Sequence, residues 1–171
     1  MNPQGVCLQP ECKSHKKRAV AKEKTQKMII IPCTSVGKLS FGDSSEKAIS
    51  HFGIPLSVDK NRDGQKQLHY KQYILRFDEE SGNFVEFTAL PGCALTLNGV
   101  HISWDKEIFK ILADYDDDVL DLYGYIVSYN LGIAVTGIHD DDESQKAIHV
   151  FMRGYWDCFN DENAKAFKMN D

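Results

Sequence analysis

No run in this chain approaches the ~18 consecutive apolar residues a membrane-spanning helix needs, which argues against a helical membrane protein. A secretory leader is not expected either, because the basic N-terminal stretch meets no apolar core longer than "MIII" at 28–31. Cysteine is scarce and odd in number, with five residues at positions 7, 12, 33, 93 and 158, so no disulfide framework is expected. Reduced thiols and a cytoplasmic location are the simplest expectation. Glycine, proline and total charge are ordinary, which excludes disordered and fibrous classes. High-specificity catalytic signatures are missing as well.

What is present is 171 residues with 42% hydrophobic and 11% aromatic content, enough for a core of ordinary size. The formal net charge of −5 divides unevenly along the chain. Residues 1–27 carry seven Lys/Arg against two acids, whereas 28–171 carry 13 basic and 23 acidic side chains. A body this acidic repels a nucleic-acid backbone and steers a basic protein toward itself. Residues 1–27 are too polar to bury the surface that ordering requires, and read as a flexible basic arm before a domain at 28–171. Cys7, Cys12 and His15 in that arm lack a fourth zinc ligand and have loose spacing, so no metal is assigned.

Element order suggests two similar parts, a pseudo-repeat of 28–102 and 103–157. "GDSSEKAISHFGIP" predicts a short helix with Asp43 as N-cap, Glu46 completing a capping box, and Gly53 and Pro55 ending it. "LHYKQYILRF", "NFVEFTAL" and "CALTLNGVHI" then read as three strands. In the second part Ser103 is the expected cap of a helix whose apolar positions are Trp104, Ile108, Ile111 and Leu112. "LYGYIVSY", "GIAVTGI" and "AIHVFMRGYW" follow as strands, and 160–171 are expected to fray. The fold class expected is α+β: antiparallel sheets from two helix-then-three-strand halves, with helices on one face.

The motifs that imitate chemistry are incomplete. "DKNRDG" at 59–64 begins like a calcium loop, but Tyr70 stands where a bidentate carboxylate is required. "VGKLS" at 36–40 lacks the first glycine and the magnesium-holding hydroxyl of a phosphate loop. Cys93 with His101, His139 or His149 would form a nucleophile–base pair. However, alternation of Cys93 with Leu95 and Leu97 points the thiol into the core. Two acidic stretches remain, "DYDDD" at 114–118 and "GIHDDDESQKAI" at 137–148. In a hairpin loop adjacent carboxylates fan outward and stay ionised, which suits neither a metal cage nor general acid catalysis. The expected contact set for a partner is Tyr115, Asp116, Asp117, Asp118, Asp140, Asp141, Asp142 and Glu143, with no catalytic residues and no cofactor. Tyr123, Tyr155 and Trp156 are further aromatic anchors, Trp156 being the one best suited to core packing.

In layout and composition the segment 28–157 resembles small bacterial immunity proteins that neutralise a cognate secreted toxin. The resemblance is carried by "MIIIPCTSVGKLSFGDSSEKAISHFGIP", the β-rich middle, "LGIAVTGIHDDDESQKAIHVFMRGYWD" and the acidic balance. It implies a non-enzymatic inhibitor whose carboxylates stand in for phosphates in the cleft of a basic toxin that targets nucleic acids or nucleotides. The alternative is a small metal-dependent enzyme or ligand-binding protein that uses the Asp-rich loops.

Overall fold

The computed structural model describes residues 27–159 and 163–168; residues 1–26 of the basic arm assigned to 1–27, with Cys7, Cys12 and His15, lie outside them. Two sheets form. The smaller has five strands in the order β3-β2-β1-β8-β9, built from β1 (Met28–Ile31), β2 (Ser35–Val36), β3 (Leu39–Ser40), β8 (Leu95–Leu97) and β9 (Val100–Ile102). The larger has nine in the order β14-β10-β11-β12-β13-β7-β6-β5-β4. Its strands are β4 (Ser57–Lys60), β5 (Lys66–His69), β6 (Tyr73–Phe77), β7 (Phe84–Ala89), β10 (Leu120–Leu122), β11 (Tyr125–Ser128), β12 (Ile133–Thr136), β13 (Ala147–Phe151) and β14 (Lys165–Ala166). The β1–β8 pairing is parallel and the remaining strand pairings are antiparallel.

Strand alternation splits the nine-stranded sheet into two faces. The first carries Leu68, Leu75, Phe77, Phe87, Ile126, Ile133, Val135, Ile148 and Val150, which share one buried cluster with Met28, Ile30, Val36, Leu95 and Leu97 of the smaller sheet. Both helices, α1 (Ser45–Phe52) and α2 (Glu107–Tyr115), deliver their buried apolar residues to that same cluster. The α+β class with largely antiparallel sheets therefore holds. Removing one of its fully buried rings, such as Phe87, would cost about 3–5 kcal/mol. The second face carries a smaller cluster of Leu122, Val127, Ala134, Phe151 and Trp156.

The helix-then-three-strands repeat does not recur. Six strands follow α1, and four follow α2 before a 3-10 turn at Asp157–Phe159 and β14. "LHYKQYILRF" is not one strand, because the chain reverses within it: Tyr70 N donates to Tyr73 O at 2.8 Å, separating β5 from β6. "CALTLNGVHI" divides at Asn98 and Gly99, whose φ values of 49° and 85° suit the two central positions of a tight hairpin turn. The mostly polar "SVDK" pairs with β5 as an edge strand, and its Asp59 also bonds His69 across the pair.

Capping also shifts. Ser44, not Asp43, caps α1 by accepting from Lys47 N, while Asp43 accepts from Ser40 N and Lys47 Nζ. Ser103 donates to Asp105 Oδ1 instead of capping α2, and Asp105 Oδ1 accepts from Glu107 N. The expected fraying of the C-terminal residues is corrected in part. Lys165 and Ala166 pair with β10, and the Phe167 ring lies 5.2 Å from that of Phe109.

Candidate functional site

The two acidic stretches flank α2. At its N-terminal end Lys106 Nζ bonds Asp141 Oδ2 at 3.0 Å, which brings the β12–β13 loop against the start of the helix. At its C-terminal end Tyr115 is followed directly by Asp116–Asp118. Nine residues of helix span roughly 13 Å. Along that length stand eight exposed carboxylates, Asp105, Glu107, Asp114, Asp117, Asp118, Asp140, Asp141 and Glu143, against Lys106, Lys110 and Lys146. Tyr115 is 42% exposed within this band. Carboxylates at the helix C-terminus oppose its dipole, so Asp114, Asp117 and Asp118 are kept at a small local cost.

The predicted contact residues do not all face outward. Asp116 is buried. Its carboxylate accepts from Ser128 Oγ, from Asn130 Nδ2 at 2.8 Å and from Asp118 N at 3.0 Å. Burial would raise its pKa, but these bonds outweigh that and hold it below the usual carboxylate range. Asp116 thus locks the α2–β10 turn and is removed from the contact set. Asp142 is folded back onto its own loop, accepting from Ser144 N at 2.9 Å and Gln145 Nε2 at 2.7 Å. Glu143 bonds Lys146. Gly137 starts this loop at φ 72°, and a Cβ there would sit 2.4 Å from Lys146 N.

Asp105, Glu107 and Asp141 line one open pocket, but they share it with Lys106 and Lys146. Among the described residues no group of three His, Cys, Asp or Glu side chains is placed to hold a metal ion. In the "DKNRDG" turn Asp59 bonds His69 Nε2 at 3.0 Å, and Asn61 Oδ1 accepts from Asp63 N and Gln65 N. Burial pushes the Cys93 thiol up to about 11, so it carries no nucleophilic thiolate near neutral pH.

A second site lies on the opposite face of the large sheet. Arg76 stands across from Glu86 in the β6–β7 register, and His149 across from Thr88 in β13–β7, so their side chains share that face. Glu86 is fully buried and its carboxylate is saturated. Oε1 accepts from Arg76 Nη1 at 2.8 Å, Thr88 Oγ1 at 3.0 Å and His149 Nδ1 at 3.0 Å, while Oε2 accepts from Trp156 Nε1 at 3.0 Å. Burial alone would raise the Glu86 pKa. The His149 bond and charge, Arg76 and the Trp156 donor outweigh it and bring the value to about 2.

The turn after β13 carries the chain back over this centre. Tyr155 N donates to Met152 O, and the Trp156 ring stacks on Phe151 at 4.9 Å. Trp156 also packs edge-on against Tyr125 at 5.4 Å. The result is a cleft of about 800 Å³ whose lining includes Gln65, Arg76, Glu86, Tyr123, Tyr125, His149, Tyr155, Trp156 and Phe159. Burial, then the charge of Glu86, raises the Tyr155 pKa, so the phenol keeps its proton. Its oxygen accepts from Gln65 Nε2 at 2.6 Å. A carboxylate held this low by four donors is a weak proton acceptor near neutral pH, and its bonds organise the cleft.

Glu86 and Arg76 carry no motif in the sequence that marks them as a site. The available signal was one charged residue inside each apolar strand: Arg76 in "YILRF", Glu86 in "FVEFTA" and His149 in "AIHVF". Comparison with protein families, with curated proteins and with solved structures gives no match. The class defined here is thus structural: an α+β protein of two packed sheets with an acidic helix edge and, on the opposite face, an aromatic cleft.

Proposed function

We propose that this chain is a non-enzymatic inhibitor that binds a basic protein, of the toxin-neutralising kind, along the α2 edge. The observation that carries the reading is the band itself: eight exposed carboxylates on α2 and the loops at its two ends, of which three are paired with lysines. Such a concentration of one sign raises encounter rates with a positive surface, and its carboxylates fit a cleft that normally receives phosphates. Tyr115, half-exposed at the centre of one end, supplies a rigid aromatic anchor. The Asp-rich loops lend no support to a metal-dependent enzyme, since their side chains diverge or are tied into their own turns.

The test pairs the chain with the toxin encoded beside its own gene. Co-expression of the intact chain should rescue growth. The combined Asp117→Asn, Asp118→Asn, Asp140→Asn and Asp141→Asn variant should lose rescue and associate about tenfold more slowly at low salt. The difference should shrink toward ~0.5 M salt as screening removes the steering. Association unchanged by the four substitutions at low salt, or no toxin gene alongside, overturns the proposal.

A further inference from the structure

We infer that the cleft over Glu86 is a binding site for an uncharged planar ring bearing a carbonyl, such as an aryl amide or a nucleobase-like heterocycle. The inference stands apart from the toxin reading, because the cleft and the α2 band occupy opposite faces of the large sheet.

Three features define the ligand. The walls are aromatic: Tyr123, Tyr125, Trp156 and Phe159 present ring faces and edges, which favour a flat apolar body over an aliphatic one. The floor offers donors and few acceptors. Both oxygens of Glu86 are taken by Arg76, Thr88, His149 and Trp156. Tyr155 accepts from Gln65 and bonds Arg76, which leaves its own hydroxyl proton to give, whereas the Arg76 guanidinium is already engaged with Glu86, Tyr155 and the Gln67 amide. A floor of donors selects a ligand acceptor. The third feature is charge: Arg76 and Glu86 cancel, and Asp63 at the lining adds a negative charge. That balance gives an anionic carboxylate no net attraction, and a cation gains little, because the Glu86 oxygens are occupied and Asp63 is exposed to screening solvent. A neutral carbonyl satisfies the donors at the least desolvation cost.

Two further observations agree with a built site. An ion pair this buried is often no more stabilising than an apolar substitute, so its presence is better explained by what it organises. Tyr123 occupies a left-handed turn position, φ 51°, that ordinarily selects Asn, Asp or Gly, and there its ring is 62% exposed beside the cleft. A volume of about 800 Å³ lies within the usual range of small-molecule pockets.

The experiment follows the indole N–H signals of the full chain by NMR while benzamide, benzoate and benzylammonium are titrated in turn. The chain has two tryptophans. Trp156 lies in the cleft, and Trp104, bonded to Cys93 O elsewhere, serves as the internal control. Benzamide should shift Trp156 and not Trp104, with a dissociation constant on the order of millimolar for so small a probe. Benzoate and benzylammonium should bind at least about threefold more weakly. Tyr155→Phe should weaken benzamide roughly two- to tenfold by removing a floor donor. Tyr123→Ala, at an exposed position, tests the wall even if the first variant fails to fold. No Trp156 shift at ~20 mM benzamide, where a millimolar site would be nearly full, overturns the site. Equal shifts at Trp104, tighter binding of either charged probe, or Tyr123→Ala titrating like the parent overturn it equally.

Discussion

Replacing Glu86 with glutamine tests the electrostatic core of the second face. The carboxylate falls from an ordinary 4.5 to about 2 in the folded chain. That difference corresponds to about 3 kcal/mol of stability from its ionised form. Removing one member of a buried ion pair costs a similar amount, roughly 3–5 kcal/mol. Glutamine keeps the shape but presents an amide nitrogen to one of the donors Arg76, His149 or Trp156, leaving it unmatched. The variant should therefore unfold in urea with about 3 kcal/mol less stability, equivalent to a melting temperature roughly 6–12 °C lower for a chain of this size. The pH dependence separates charge from shape. A depressed carboxylate pKa means that the unfolded chain takes up the proton first. The Glu86 contribution is then fully present above 4.5 and declines as pH falls toward 2. Other carboxylates with lowered values, such as Asp43 and Asp78, titrate in both proteins and cancel in the difference. The gap between the two proteins should be full at about pH 5.5 and reduced by more than half at about pH 3. A gap below ~1 kcal/mol at pH 5.5, or one that stays constant down to pH 3, would refute the assignment of an ionised, stabilising Glu86.

Three further outcomes follow from local geometry. Asp116→Ala should cost about 2 kcal/mol in denaturant unfolding, because it strands the Ser128 and Asn130 donors. Exposed Asp117→Ala should stay within about 0.5 kcal/mol, and equal effects would contradict the inward placement of Asp116. Gly137→Ala should lower thermal stability by roughly 1–3 kcal/mol, since its Cβ would meet backbone at 2.4 Å and the residue has positive φ. Alkylation at pH 8 followed by peptide mass spectrometry should modify exposed Cys158 quickly. Buried Cys93, its thiol pushed up to about 11, should react only after denaturant is added.

Parts of this architecture were legible in the residues. The positions Ile108, Ile111 and Leu112 recur at helical spacing and are buried in α2. The run "AIHVF" is strand-like and forms β13. Helix starts were displaced because neighbouring Ser and Asp residues compete for the same backbone donors, and only geometry decides among Asp43, Ser44, Ser103 and Asp105. Hairpins inside "LHYKQYILRF" were hidden because its turn contains no glycine or proline. The cleft was hidden for a different reason. Its central carboxylate meets Arg76 within one hairpin but meets His149 and Trp156 only through the β7–β13 register, far away in the chain. Register between distant strands is not written into local periodicity. Asp116 shows the same limit: four neighbouring carboxylates look alike until the Ser128 hydroxyl selects one of them.

The parallel seam between β1 and β8 also bears on how the chain assembles. β2 reaches β1 through a short turn, but its other neighbour, β8, arrives after about 65 intervening residues. Closing so long a loop carries an entropic penalty that only contacts already made within the loop can offset. The β4–β7 meander lies inside that interval and consists of sequential antiparallel neighbours, so it can condense first and draw the ends together. The β1–β8 seam accordingly closes after that meander, as does the β7–β13 pairing, which spans a comparable length of chain. A chain interrupted before β8 would leave β1 with one edge unsatisfied, open to pairing with another molecule.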